Sequence, residues 1–361
     1  MSRPGQATEL VRRLDQLGTN DRPEVGGKGA SLGELIRTGI PVPPGFVVTT
    51  RGFLRALETL DPGAELRARI GQLPPDAAAA DPTIRPLRDR ILGAPLPDDV
   101  RDAIVAAYRE LGADATPVAV RSSATAEDSA EASFAGLQDT YLWVRGAEDV
   151  VEHVRRCWAS LYSLEAVSYR RQRGLGEDGL AMAVVVQEMV DARCSGVMFT
   201  CSPTTGDPSV IAIESGWGLG SAMVSGEVTP DALVVSKVTG EVVKREIAVK
   251  THWHRMDPSG HGVVSEEVPE DLQARPCLSE SQLTALTRLA RRVEQHYGCP
   301  QDIEWAIPTD AGETDIVLLQ SRPETVWANR PAQPVAAPKP RAFDHVLGVL
   351  GGQARHRGDD R

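Results

Sequence analysis

The spacing of apolar residues changes about halfway along the chain, from a helical period to short continuous runs. Before the change, helical patterns cover residues 98–112 and 148–173. From Ala181 onward the apolar residues form short runs rich in valine and isoleucine, which are typical of buried strands. These runs predict strands over 181–186, 195–200, 210–214, 232–236 and 241–244. Ser279 and Gln282 have the spacing of a capping box, which predicts one further helix in this second part.

A short apolar run at 118–120 lies directly before Arg121 and an unusual polar stretch. The run predicts a buried strand that delivers Arg121 to its carboxyl end, where open α/β sheets place their ligands. The residues from there to Gly136 carry mostly hydroxyls, carboxylates and small side chains, and long loops of this kind are usually functional or disordered. Such loops wrap phosphate oxygens, and a guanidinium pairs with phosphate bidentately. The stretch is therefore either a phosphate-binding loop or a solvated loop with a structural arginine.

A second glycine-rich cluster precedes a predicted helix near the beginning of the chain. The residues around Lys28 read Gly-Gly-Lys-Gly-Ala-Ser-Leu-Gly, and helical spacing starts at Lys28 and stops at Gly39. Free N–H groups and the helix dipole favour an anion at such a start. The cluster is not a P-loop, because Gly29 stands where that motif has serine or threonine. Alone it is weak evidence for phosphate binding.

Two strands near residue 300 carry polar side chains in an ordered pattern. Strands are predicted over 302–307 and 316–322, joined as a hairpin. Alternation places Gln320 and Arg322 on one face of the second strand, while Glu304 lies on the first. Carboxylate and amide oxygens from neighbouring strands are hard ligands suited to Mg²⁺ shared with substrate phosphates. Charged residues on the solvated face of a sheet would show the same pattern.

Composition narrows the class of protein. The 361 residues suffice for one large or two ordinary domains, and 41% hydrophobic with only 4% aromatic residues favours an aliphatic α/β core. A net charge of −11 argues against a nucleic-acid or anionic-membrane partner but permits a nucleotide. The absence of a spanning apolar run, a signal peptide or paired cysteines predicts a cytoplasmic protein with reduced thiols.

Six ordered blocks of this chain resemble the N-terminal nucleotide-binding domain of phosphoenolpyruvate synthase, pyruvate phosphate dikinase and rifampin phosphotransferase. The resemblance runs from about Asn20 to Trp327. The blocks lie at 26–33, 41–46, 120–128, 132–136, 302–306 and 319–325. The family resemblance implies an α+β fold of the ATP-grasp-like kind, in which two lobes close on a nucleotide cleft. The lobes would comprise residues 1–190 and 191–327, followed by a proline-rich linker and tail over 328–361.

The resemblance also implies which residues would bind ATP and Mg²⁺. The cations expected on the transferred phosphates are Lys28, Arg121 and Arg322. Further contacts to the nucleotide are expected from Gly136, Thr140, Gln187, Glu188 and Val190. The expected metal ligands are Glu304 and Gln320.

Two departures from the family pattern shape the functional expectation. Ser221 follows Gly218-Leu-Gly where the family usually has glutamate. None of the seven histidines lies in a Gly-Gly-x-x-Ser-His-Ala-like motif, which in the family carries the phosphate. The chain thus resembles the ATP-binding subunit of a split dikinase, similar to that of phenylphosphate synthase. It would convert ATP to AMP and phosphate and phosphorylate a histidine of a partner subunit.

That partner would then phosphorylate a small-molecule hydroxyl or enol, so the partner and not this chain would select the final acceptor. Two alternatives remain open at this stage. The chain could be a non-catalytic ATP-binding regulatory module, or the isolated ATP domain of a longer phosphoenolpyruvate synthase or rifampin phosphotransferase.

Overall fold

The computed structural model describes residues 9–74, 82–112, 115–124, 140–177, 179–310, 312 and 315–327. Within these ranges the chain combines helices with three sheets, so the predicted α+β class is confirmed. Residues Met1–Thr325 form one compact unit, and Val326–Arg361 form a second. The predicted division of the first unit near residue 190 stays a prediction. In the part of the chain that is described, no helix has the length and apolar character needed to cross a bilayer.

The first part of the chain builds a five-stranded antiparallel sheet covered by helices. Its strands are β1 (Val11–Arg13), β2 (Gly45–Val48), β3 (Val118–Ala124), β4 (Thr140–Val144) and β5 (Met182–Glu188), in the order β1-β2-β5-β3-β4. The helices are α1 (Arg22–Arg37), α2 (Thr50–Leu60), α3 (Glu65–Gly71), α4 (Arg85–Gly93), α5 (Asp98–Leu111), α6 (Ala147–Ser160) and α7 (Leu164–Gln172). Short 3-10 turns lie at Leu14–Gln16, Thr19–Asp21 and Pro62–Ala64.

The second part builds a six-stranded antiparallel sheet and a separate hairpin. The sheet order is β13-β12-β6-β7-β8-β9, from β6 (Ala192–Phe199), β7 (Val210–Trp217), β8 (Asp231–Ser236), β9 (Val242–Glu246), β12 (Gln301–Pro308) and β13 (Val317–Pro323). The hairpin consists of β10 (His252–Met256) and β11 (Val263–Glu267). The helices are α8 (Ser221–Val224), α9 (Glu270–Gln273) and α10 (Glu280–Tyr297).

Each large sheet has its own hydrophobic core. Helix α6 buries Val154 and Trp158 against the five-stranded sheet, where Trp158 contacts the ring of Phe53. Helix α10 buries Leu286 and Val293 against the six-stranded sheet. The predicted capping box opens α10: the Ser279 hydroxyl accepts the N–H of Gln282 at 3.2 Å, and the Gln282 side chain accepts the N–H of Ser279 at 3.0 Å.

Two expectations about elements were wrong. The segment 148–173 is not one helix, because α6 ends at Ser160 and α7 begins at Leu164. Arg121 does not lie at the carboxyl end of a strand, because β3 continues to Ala124. The rule that placed Arg121 there applies to parallel sheets, whereas β3 pairs antiparallel with both of its neighbours.

Candidate functional site

One guanidinium group connects the two large sheets. Arg121 on β3 donates from Nη2 to Glu304 Oε2 at 2.8 Å and to Gln320 Oε1 at 2.7 Å. Its Nη1 donates to the carbonyl oxygen of Leu319 at 2.8 Å. The Arg121 side chain is only 11% exposed, whereas that of Glu304 is 38% exposed, so the bond joins a nearly buried guanidinium to a carboxylate that still meets solvent.

Glu304 and Gln320 are cross-strand partners in the hairpin, whose register the sequence did not predict. They lie directly opposite each other in the register of β12 and β13. Because both side-chain oxygens accept from the same Arg121 nitrogen, they converge on one point in space. A cationic group already stands between them, and two hard oxygens around a cation are the donor set that Mg²⁺ takes from proteins.

The predicted cations act together on the Glu304 carboxylate. Burial raises the pKa of Glu304, but the charges of Arg121, Lys28 and Arg322 outweigh burial and hold that pKa below its ordinary value. Glu304 is therefore ionised at neutral pH. Arg322 is itself anchored, since its Nε and Nη2 both lie 2.8 Å from Asp302 Oδ2. Burial raises the pKa of Asp302, and Arg322 opposes that rise.

The glycine cluster and the arginine-serine stretch are in direct contact. Ser123 donates its hydroxyl to the carbonyl oxygen of Val25 at 2.9 Å and accepts the backbone N–H of Gly29 at 3.3 Å. Helix α1 begins at Arg22, earlier than predicted, but its backbone is interrupted at Gly26, with φ 70° and ψ 178°. A second helical segment thus starts just before Lys28, which is buried. The expected helix start at the glycines is therefore present as a break within α1.

Gly26→Ala should lower the free energy of unfolding by roughly 3 kcal/mol, because the backbone at Gly26 occupies a region that only glycine adopts readily. A Cβ at this position would also lie 2.2 Å from the Ser123 carbonyl oxygen. Gly39→Ala is the matched control: its φ is also +70° but no atom lies within 4 Å of the added Cβ, so the loss should be about 1 kcal/mol. Urea unfolding of both variants measures the difference, and equal losses would contradict the close contact.

A cavity of about 280 Å³ lies between the two sheets beside Arg121. Six of the predicted site residues line it: Arg121, Thr140, Gln187, Glu188, Val190 and Glu304. The described lining does not include Lys28, Gln320 or Arg322, which lie around the Arg121–Glu304 pair instead. Gly136 lies outside the described residues, so its predicted role stays a prediction.

The end of β5 and the two residues that follow it line the cavity. Gln187 is buried and its amide donates to the carbonyl oxygen of Pro43 at 3.2 Å. The N–H of Glu188 donates to Pro44, and the N–H of Met189 donates to Pro117. Among the described residues no hydrogen bond uses the N–H of Val190. This N–H is a polar group available to the edge of a bound base.

The apolar lining of the cavity was missed from the sequence. Leu142, Leu219 and Ala306 line it, and they belong to a small cluster around Trp143 and Ala192 that joins the sheets. Ala306 could have been found, because alternation along β12 places it on the same face as Glu304. Leu142 and Leu219 carried no such signal, since they come from a strand and a turn that are distant in sequence.

Comparison with known proteins agrees with a nucleotide site. The family described as "Pyruvate phosphate dikinase, AMP/ATP-binding domain" matches residues 22–342. A probable phosphoenolpyruvate synthase of Methanothermobacter thermautotrophicus is 42% identical over 328 residues, which cover 89% of this chain and 47% of that protein. The phosphoenolpyruvate synthase of Aeropyrum pernix is 42% identical over 91% of this chain and 44% of its own length. A rifampicin phosphotransferase of a Streptomyces species is 44% identical over 88% of this chain and 36% of its own. The chain spans less than half the length of these relatives.

Proposed function

Because this chain belongs to the pyruvate phosphate dikinase AMP/ATP-binding domain family, we propose that it binds ATP with Mg²⁺ between its two large sheets and transfers a phosphoryl group to a histidine on a partner. The observation that carries the proposal is the convergence of Lys28, Arg121 and Arg322 on one carboxylate beside the cavity. Phosphoryl transfer requires positioned cations more than a covalent nucleophile.

The two sheets support an ATP-grasp-like arrangement. The cavity has the five-stranded sheet on one side, with Arg121 and the segment after β5, and the six-stranded sheet on the other, with Glu304. We propose that the two sheets belong to lobes that close on the nucleotide, the base lying near Val190 and the phosphates near Arg121. Closure would exclude water from the transferred phosphate.

Glu304 and Gln320 would hold Mg²⁺. Their oxygens fit the ion because they are hard, converge on one point and already surround a cationic nitrogen. Within the described ranges no cluster of three or more His, Cys, Asp or Glu side chains could hold a metal, which agrees with a Mg²⁺ that takes its other ligands from phosphate oxygens and water. When bound, the ion neutralises phosphate charge and fixes the orientation of the phosphate chain.

Three cationic side chains of the chain would neutralise the remaining phosphate charge. Lys28 and Arg121 would neutralise charge on the phosphate oxygens as the bond to the leaving group breaks. Arg322, fixed by Asp302, would stabilise the transferred group. The break at Gly26 would direct the positive end of the second helical segment's dipole to the phosphates. When Mg²⁺ binds, Arg121 Nη2 would be displaced from Glu304 and Gln320 and that guanidinium left to the phosphate oxygens, while Asp302 keeps Arg322 in place.

We propose that the phosphate-accepting histidine lies in a separate domain or subunit, because no histidine of this chain lies in a motif like that of the family. The partner would pass the phosphoryl group to a small-molecule hydroxyl or enol, in a phenylphosphate-synthase-like or phosphoenolpyruvate-synthase-like reaction. With one water molecule consumed, ATP would give AMP, one free phosphate and the phosphoryl group carried by the histidine.

Incubating the chain with labelled ATP, with and without the phosphohistidine domain of a relative, tests this function. We expect AMP and phosphate in equal amounts, up to one of each per domain histidine, only when the domain is present, with acid-labile label from ATP labelled at both the β- and γ-phosphates on that histidine. ADP accumulating over many turnovers would contradict dikinase chemistry. ATP binding with no transfer to any such domain would favour a regulatory module instead.

A further inference from the structure

A hydrogen-bonded chain of three side chains borders the cavity and has no part in the proposed transfer. The hydroxyl oxygen of Ser221 lies 2.8 Å from His254 Nδ1, and His254 Nε2 lies 3.0 Å from Glu227 Oε2. Ser221 is the residue that departs from the family pattern. A nucleophile, a base and a carboxylate that orients the base stand in the same relation in many hydrolases and transferases.

The fold holds these side chains together through backbone contacts. The N–H of Leu219 donates to the carbonyl oxygen of His254 at 3.0 Å, which fixes β10 against the turn before α8. Gly218 has φ 70°, and a Cβ there would lie 2.6 Å from the same oxygen. The hydroxyl of Ser225 donates to the other carboxylate oxygen of Glu227 at 3.0 Å. These contacts keep the His254 side chain within hydrogen-bonding distance of the Ser221 hydroxyl.

The ionisation state of Glu227 determines which ring nitrogen of His254 carries a hydrogen. Hydrogen bonds from His254 and Ser225 hold the pKa of Glu227 below its ordinary value, so Glu227 is ionised at neutral pH. An ionised carboxylate only accepts, and therefore Nε2 of His254 carries the hydrogen in this pair. In the neutral imidazole Nδ1 then has a free lone pair, which accepts the Ser221 O–H. This is the arrangement in which an imidazole takes a proton from serine as the serine attacks.

Ser221 lines both the cavity and a neighbouring cleft. It lines the 280 Å³ cavity together with Arg121, Thr140 and Glu304. It also lines a neighbouring cleft of about 840 Å³ between β4 and the hairpin of β10 and β11. The base, His254, lines only the larger cleft among the described walls of the two spaces. Ser221 thus borders both the proposed nucleotide site and the cleft that contains its base.

We propose that Ser221 accepts a phosphoryl group from ATP bound in the cavity, a modification that rests on the proposed nucleotide site. Ser221 Oγ forms a bond to the γ-phosphorus, the bond from that phosphorus to the β,γ-bridging oxygen breaks, and ADP leaves. The hydroxyl proton moves to His254 Nδ1, and Glu227 stabilises the imidazolium as a positioning residue. The product is a phosphoserine, formed once per chain.

Phosphorylation of Ser221 would weaken ATP binding in the cavity. Phosphoserine carries close to two negative charges at neutral pH, placed at the edge of the cavity that receives ATP. The like charges repel, so the modified chain binds ATP more weakly than the unmodified chain. The reaction would switch the site off when ATP occupies it for long without an acceptor histidine.

Incubation of the chain alone with γ-labelled ATP and Mg²⁺, followed by acid treatment and peptide mass spectrometry, tests the proposal. We expect up to one acid-stable phosphoryl group per chain, located on Ser221 and absent in Ser221→Ala. His254→Ala should slow labelling by at least about a hundredfold, the contribution of a general base. Glu227→Gln should also slow it, because the amide no longer fixes the tautomer.

Ser259→Ala is the matched control, because it removes an exposed hydroxyl from the turn between β10 and β11 that lines neither space, and it should label at the wild-type rate. A fluorophosphonate probe supplies a readout that needs no nucleotide: it should label Ser221 in the wild type and not in His254→Ala. Calorimetry separates the two proposals. ATP binding without acid-stable label, equal labelling in His254→Ala, or label on another residue would overturn the role of Ser221 and leave the nucleotide site intact.

Discussion

Arg121→Lys will lower the rate of phosphoryl transfer to a phosphohistidine domain by at least about a hundredfold, the cost of one positioned donor to transition-state charge. Arginine here makes three bonds at once, to Glu304, Gln320 and the Leu319 carbonyl. Lysine keeps the charge but is a single point donor and cannot reproduce the fork. Nucleotide affinity should fall much less than the rate, because the lost interactions matter most where charge develops.

The measurement is single-turnover transfer at saturating ATP, with thermal melting to show that the variant is folded. Arg155→Lys is the matched control. Arg155 makes similar forked bonds to Glu152 and to the Ala94 carbonyl, away from the cavity, and the variant should transfer at the wild-type rate. Near-normal transfer by Arg121→Lys would show that the guanidinium only joins the sheets.

Glu304→Ala will remove the strengthening of ATP binding by Mg²⁺. Loss of even an outer-shell partner weakens metal sites by about tenfold, and Glu304 is expected to contact the ion directly. ATP without metal should bind the variant at least as well as the wild type, because removing the carboxylate frees Arg121 and the charge of Lys28 for phosphate. Titration of ATP with and without Mg²⁺ measures both effects.

Glu214→Ala is the control for that variant. Glu214 lies two strands from Glu304 in the same sheet, both being cross-strand partners of Val197, but it is exposed and does not line the cavity. Its loss should leave the metal effect unchanged. A Glu304→Ala chain that still binds ATP more tightly with Mg²⁺ would contradict the metal assignment.

Local sequence signals predicted those parts of the site that depend on neighbouring residues. Strand patterns predicted that Glu304 and Gln320 lie on neighbouring strands of a hairpin, and the structure adds that they are direct partners. The capping box of α10 was equally local. Such features could be predicted because the period of a strand and the geometry of a helix start are fixed within a few residues.

Contacts between distant segments could not be predicted in this way. Periodicity shows which face is buried but not which element covers it. Only the resemblance implied that Arg121 and Glu304 share one site, and their hydrogen bond was not predicted. The hairpin of β10 and β11 was missed because its mostly polar strands have no clear apolar face. His254 therefore looked isolated in the sequence, although it lies against Ser221 in the fold.

Calorimetric titration of ATP into the wild-type chain, with and without Mg²⁺, measures whether ATP binds together with the ion in the cavity between the two sheets. We expect one ATP per chain and tighter binding with Mg²⁺ than without it. No binding, or equal affinity with and without Mg²⁺, would contradict it.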